Sequence, residues 1–197
     1  MFNGVPVPGH PAEKELFGAA LTCEVRVPAV FVPGERALQQ QQSESLLHGL
    51  AVAEDSRSED PDDHGEVPQS MQRLEAKLDL VLSLLGKLAR QRNEATPVRS
   101  MRWSHLGLRL DLHETPDVRP GDAGVVLLQP AAWFSDHIEL PATVLACGAS
   151  GDGIHHLWLR FGRLSAGLQD ALERHLFRLH RRQIAEARQH ALDHDRL

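Results

Sequence analysis

Leu21, Cys23, Val25 and Val27 alternate with Thr22, Glu24 and Arg26, the period of a strand with one buried face. Pro28 interrupts the pattern and Val30-Phe31-Val32 resumes it before a turn at Pro33-Gly34, which predicts an edge strand or a break. Upstream, Met1 to Lys14 is rich in Pro and Gly and reads as a loose arm. Downstream, Glu35 to Ala53 permits a helix that carries the short glutamine run Gln39 to Gln42 on an exposed face. Glu54 to Glu66 then holds seven acids against Arg57, with nothing apolar to bury, and reads as a solvated linker. Asp60, Asp62, Asp63 and His64 in that run fit no metal-binding loop spacing.

Pro68 opens a second helix, where a first-turn proline is tolerated. Its apolar residues fall at heptad a (Met71, Leu78, Leu85) and d (Leu74, Val81, Leu88), with Leu82 at e widening the seam. Leucine at a with a β-branched residue at d favours three or four strands, so this segment is expected to be an oligomer interface. From Val98 the period returns to that of strands. Val98–Trp103 is one; Leu106, Leu108, Leu110 and Leu112 alternate with Gly107, Arg109 and Asp111 in another. Val125 to Gln129, Ile138 to Cys147 (interrupted by Pro141) and Leu157 to Phe161 follow, with turns at Pro120-Gly121-Asp122 and Gly148 to Gly153. Ser165 is placed to cap a last helix, from about Gly167 to Ala191, with a stripe of Leu168, Leu172, Leu176 and Leu179.

These elements predict a fold that is mainly β plus α: a small antiparallel β-barrel, a heptad helix before it and a long amphipathic helix after it. The expected division is an N-terminal segment (1–53), acidic linker (54–66), heptad helix (67–92), barrel (93–164) and C-terminal helix (165–197). Two readings of the Leu21 to Val27 strand stay open, a separate module or an added barrel strand.

Composition narrows the function. At 197 residues the chain fits one domain with appendages, and 42% hydrophobic with 24% charged residues is globular composition. No apolar run is long enough to span a membrane, and no secretory signal is readable. Only Cys23 and Cys147 occur, unpaired in motif, so a reduced cytoplasmic protein is expected. The net charge of −6 and the absence of Tyr argue against a nucleic-acid reader. Arg174, Arg178, Arg181, Arg182 and Arg188 decorate the last helix, but acids such as Asp170, Glu173 and Glu186 offset them, so a partner-binding face is preferred there. His190 and His194 have metal-capable spacing without a third ligand, and His155-His156 alternate across one strand. Ser150, in Gly148-Ala149-Ser150-Gly151, does not sit in a nucleophile elbow. Cys147 reads as a buried small hydrophobe. Neither an enzyme nor a metal or cofactor is expected.

Trp103-Ser104-His105-Leu106-Gly107-Leu108-Arg109-Leu110 resembles the second motif of PilZ domains: Asp or Asn, any residue, Ser, two residues, Gly, then an alternating strand. Leu157-Trp158-Leu159-Arg160-Phe161, then Leu164 and an amphipathic helix, is similar to the end of that barrel and its closing helix. The resemblance covers about Arg90 to Arg188 and implies a six-stranded barrel that senses the bacterial messenger cyclic di-GMP. It departs at two places. Arg102 stands at the Asp/Asn position, and the first motif, two arginines separated by three residues, is missing; Arg90 and Glu94 have the separation with the wrong second residue. In the family those arginines clamp the ligand's phosphates and guanine edges, which suits bidentate guanidinium forks. Each lost charge-assisted bond is worth about 1.5–3 kcal/mol, so losing the pair weakens binding roughly a hundredfold or more.

The resemblance therefore implies a degenerate cyclic di-GMP site drawn from Arg90, Arg92, Arg99, Arg102, Ser104 and Gly107. Arg102 is either a substitute clamp or, as preferred, a solvent-facing strand residue. Ser104 and Gly107 are expected to have structural roles as well, Ser bonding local backbone and Gly supplying a positive φ. The heptad seam is further similar to an atypical PilZ subgroup that assembles as tetramers and binds the messenger poorly. The expectation is a signalling or scaffold protein that partners with itself, as a homotetramer, and with signalling proteins the sequence does not name.

Overall fold

The computed structural model describes residues 9–36, 39–58, 96–131, 134 and 136–194. The acidic run beyond Ser58, the heptad seam Met71 to Leu88, and Arg90 and Arg92 lie outside the described residues. The described chain runs α1 (Pro11–Phe17), β1 (Cys23–Pro33), α2 (Gln40–Ser58), β2 (Val98–Trp103), β3 (Gly107–Leu112), β4 (Ala123–Leu128), β5 (Ile138–Ala149), β6 (His155–Phe161) and α3 (Ala166–His194).

The six strands close into an antiparallel barrel in the order β1-β2-β3-β6-β5-β4. β1 is the added barrel strand of the two open readings, so the barrel draws on the segment before the acidic run as well as on 93–164. It pairs with β2 from Cys23↔Trp103 to Pro28↔Val98, and with β4 from Ala29↔Leu128 to Pro33↔Gly124. Pro28 thus marks the corner at which the strand changes neighbours, rather than an edge. Closure leaves no edge; the corner is where a residue without an N–H fits. Pro28 still accepts from Gln129 N at 3.0 Å, and Ala29 N donates to Pro97 O at 3.1 Å. β5 pairs with β4 from Ile138↔Leu128 to Thr143↔Ala123 and with β6 from Ala142↔Phe161 to Ala149↔His155, around an irregularity between Val144 and Ala146. Gly121, at φ +97, takes the left-handed turn before β4.

Alternation sorts each strand into two faces. Met101 and Trp103, Leu108 and Leu110, Ile138 and Leu140, and Leu157 and Leu159 fill the interior. The stripe Leu168, Ala171, Leu172 and Leu176 of α3 joins the same core, with Leu47 of α2. Ser165 caps α3 by accepting from Leu168 N at 3.2 Å. The glutamine run has a docking role: Gln40 accepts from Ser165 N (2.7 Å) and donates to Arg163 O (3.2 Å), tying α2 to the start of α3.

Two further expectations are corrected. The loose arm is a helix over its last residues: His10 Nδ1 caps it by accepting from Ala12 N at 3.2 Å, Pro11 opens it, and Leu16 and Phe17 are buried. The acidic linker begins later than Glu54, because α2 runs to Ser58 and Glu54 binds Arg178 (3.3 Å) and Arg182 (2.8 Å) of α3.

Candidate functional site

The outward-facing residues of β2, β3 and β6 form a row. Register places Arg102 opposite Arg109 and Arg109 opposite Trp158, while Asp111 faces His156 one step along. All project away from the leucine-filled interior, because they alternate with it. Asp111 holds Arg109 in a fork, accepting from Nε at 2.9 Å and from Nη2 at 3.4 Å, and accepts from His156 Nδ1 at 2.7 Å. Arg109 is only 4% exposed, so its charge requires these partners.

α1 lies across this row and inserts Glu13. Oε1 of Glu13 accepts from Arg109 Nη1 (2.8 Å) and Trp158 Nε1 (2.8 Å); Oε2 accepts from Arg102 Nη1 (3.0 Å). Burial alone would raise the pKa of Glu13, but the indole N–H and the two guanidiniums outweigh it and hold the carboxyl below its usual range. His10 stacks on Trp158 with ring centroids 4.3 Å apart and planes 8° from parallel. Arg102 also lies over the Phe17 ring, its guanidinium carbon 4.9 Å from the centroid. The arrangement holds one carboxylate between two guanidiniums beside one stacked imidazole, both supplied by α1.

Ser104 and Gly107 close the hairpin next to this row. Ser104 is 0% exposed; its N–H donates to Gly107 O (2.9 Å), and its hydroxyl accepts from Leu106 N (3.1 Å) and donates to Leu16 O of α1 (2.8 Å). Gly107 is not in the left-handed region, contrary to expectation. Close approach requires it: a Cβ there would sit 2.2 Å from Leu159 O and 3.0 Å from Leu16 Cδ2.

The structure therefore brings Arg102, Ser104 and Gly107 together. Arg99, opposite Val27 on β2, shares the parity of Met101 and Trp103, so it lies on the other face of the strand from Arg102. Arg102 is neither a free clamp nor a solvent-facing bystander, since Glu13 and Phe17 engage it. Sequence reasoning missed Glu13, Arg109, Asp111, His156 and Trp158 as site residues. The signal for α1 was present, in a Pro at the first helical position and the apolar pair Leu16-Phe17. The pairing of Arg109 with Trp158 depends on register between distant strands.

On α3, Arg174 pairs with Asp170 (2.7 Å), while Arg178 and Arg182 pair with Glu54. Among the described residues no cluster of His, Cys, Asp and Glu could hold a metal ion, and no helix is long and apolar enough to cross a membrane.

Comparison with known proteins agrees with the barrel. The family model described as atypical PilZ domain, cyclic di-GMP receptor, matches residues 47–189. A pathogenic protein from Xanthomonas campestris, solved as a tetrameric PilZ domain self-assembled via a helical bundle, is 47% identical with a TM-score of 0.75, covering 88% of this chain and 95% of that one. The inhibitor of motility from Bacillus subtilis aligns with a TM-score of 0.37 and 21% identity, over 47% of this chain and 44% of its own. No curated protein matches the chain. With its closed six-stranded barrel, its closing helix and a family match over most of its length, the chain belongs to the atypical PilZ domain family.

Proposed function

We propose that this protein is a non-enzymatic scaffold of cyclic di-GMP signalling in bacteria, assembled as a tetramer through the heptad helix and carrying a weak or absent cyclic di-GMP site. One observation carries the reading. The two guanidiniums on the motif face, Arg102 and Arg109, are already engaged by Glu13. A phosphate arriving there meets donors that have a partner and a face covered by α1. The tetrameric, 47% identical relative supports the assembly part, because the residues expected to form the seam fall within the stretch matched by the family.

Replacing both Leu78 and Leu85 with Lys would bury charge in that seam. Light scattering is expected to give the mass of four chains for the wild type and a smaller assembly for the double variant. An unchanged mass would sink the assembly reading. The pairing of Arg174, Arg178 and Arg182 with acids argues against a nucleic-acid surface on α3, so no steep salt-dependent binding of plain DNA or RNA is expected. The competing reading, a true receptor that uses a substitute arginine clamp, is favoured by the receptor description of the matched family.

A further inference from the structure

The N-terminal helix presents two groups three residues apart. His10 lays a flat heteroaromatic ring on the Trp158 face, and Glu13 places an anion between Arg102 and Arg109. A planar ring joined to an anionic group is the outline of a nucleotide, with the base on the indole and the phosphate on the guanidinium pair. We infer that α1 is an intramolecular nucleotide mimic: it closes, in cis, a nucleotide-binding face made by Arg102, Arg109 and Trp158. The inference takes its ligand class from the weak-site reading above and rests on it.

Three features make α1 a removable cover rather than part of the core. The interior cluster contains none of its residues; Ala12, Leu16 and Phe17 form a separate cluster with Trp158 on the outer surface. The barrel closes through its own strands without it. At seven residues, α1 is too short to be stable as a helix on its own, so it is helical only while docked. The face beneath has its own bracing, because Asp111 holds Arg109 and His156 through contacts that do not involve Glu13. Arg102 Nε and His156 Nε2, both on this face, are buried with no hydrogen-bond partner among the described residues, so Glu13 does not exhaust its polar groups.

The test uses the full chain in three forms: wild type, the double variant His10→Ala with Glu13→Ala, and Leu16→Asp, which expels α1 through its apolar side and leaves both mimicking groups intact. Hydrogen exchange over residues 11–18 reports whether α1 is docked. Calorimetric titration with cyclic di-GMP, and with GMP as the smaller probe, reports the face. Both variants are expected to lose protection over 11–18 and to bind cyclic di-GMP at least tenfold more tightly than the wild type. Saturating cyclic di-GMP is expected to remove that protection from the wild type as well. Wild-type affinity in a variant that has released α1 would overturn the inference, as would full protection of 11–18 in the double variant or in nucleotide-saturated wild type. Tight binding by the wild type contradicts the weak-site reading instead, whatever the ratio between variant and wild type.

Discussion

A carboxylate that accepts from two guanidiniums and an indole is held in its charged form, and this sets the behaviour of Glu13 with pH. Its pKa in the folded chain lies below the ordinary value of 4.5, so its contribution is complete above that value and is lost as pH falls through the folded one. Glu13→Gln is expected to cost about 1–3 kcal/mol in urea unfolding at pH 7, the cost of leaving buried charged donors underpaired. The gap between variant and wild type should narrow as pH falls below 4.5; a gap independent of pH would contradict the ion pairing. Gly107 supports a second prediction. Gly107→Ala forces a Cβ against Leu159 O, and backbone cannot step aside cheaply, so a loss of about 1–3 kcal/mol is expected whatever the state of α1. Ser104 was legible as a structural residue because a serine two positions before an amide can accept from it, as it does from Leu106 N. Glu13 was not legible, because its indole partner is 145 residues away in sequence.

At the scale of elements, α3 does more than close the barrel. His175 packs inside it against Trp103, with ring centroids 5.6 Å apart, and burial lowers its pKa to about 4 despite the carboxylate of Glu54 nearby. Between about pH 6.5 and 4 the unfolded chain therefore binds the proton and the folded chain does not, so stability falls as pH is lowered through that window. The expected loss is about 3 kcal/mol, and His175→Phe should remove this part of the pH dependence. A variant that kept the same slope would place the titration elsewhere. Leu172→Ala on the same helix leaves a cavity in the core and should cost about 2–5 kcal/mol by the same unfolding measurement. The elements that could be read from sequence share one property, an apolar period longer than a turn: the leucines of β3 and the capped stripe of α3. α1 is too short to show a period, and α2 could be read as helix but not in extent, because Glu54 looks like linker until Arg178 and Arg182 are placed beside it.

For the whole molecule, the alternating strands and final helix predicted a barrel, but they did not decide where its first strand came from. The two halves of β1 serve different neighbours, and Pro28 reads as a defect unless closure is known. The same holds for the site. Arg102 and Arg109 are seven residues apart along the chain and become one clamp only through the register of β2 with β3. A motif face covered by α1 is expected to bind the messenger weakly or not at all. Calorimetric titration of the wild-type protein with cyclic di-GMP at physiological salt tests this directly. No measurable heat and no shift in melting temperature are expected at micromolar ligand; low-micromolar or tighter binding would contradict the covered-face reading and make the protein a receptor.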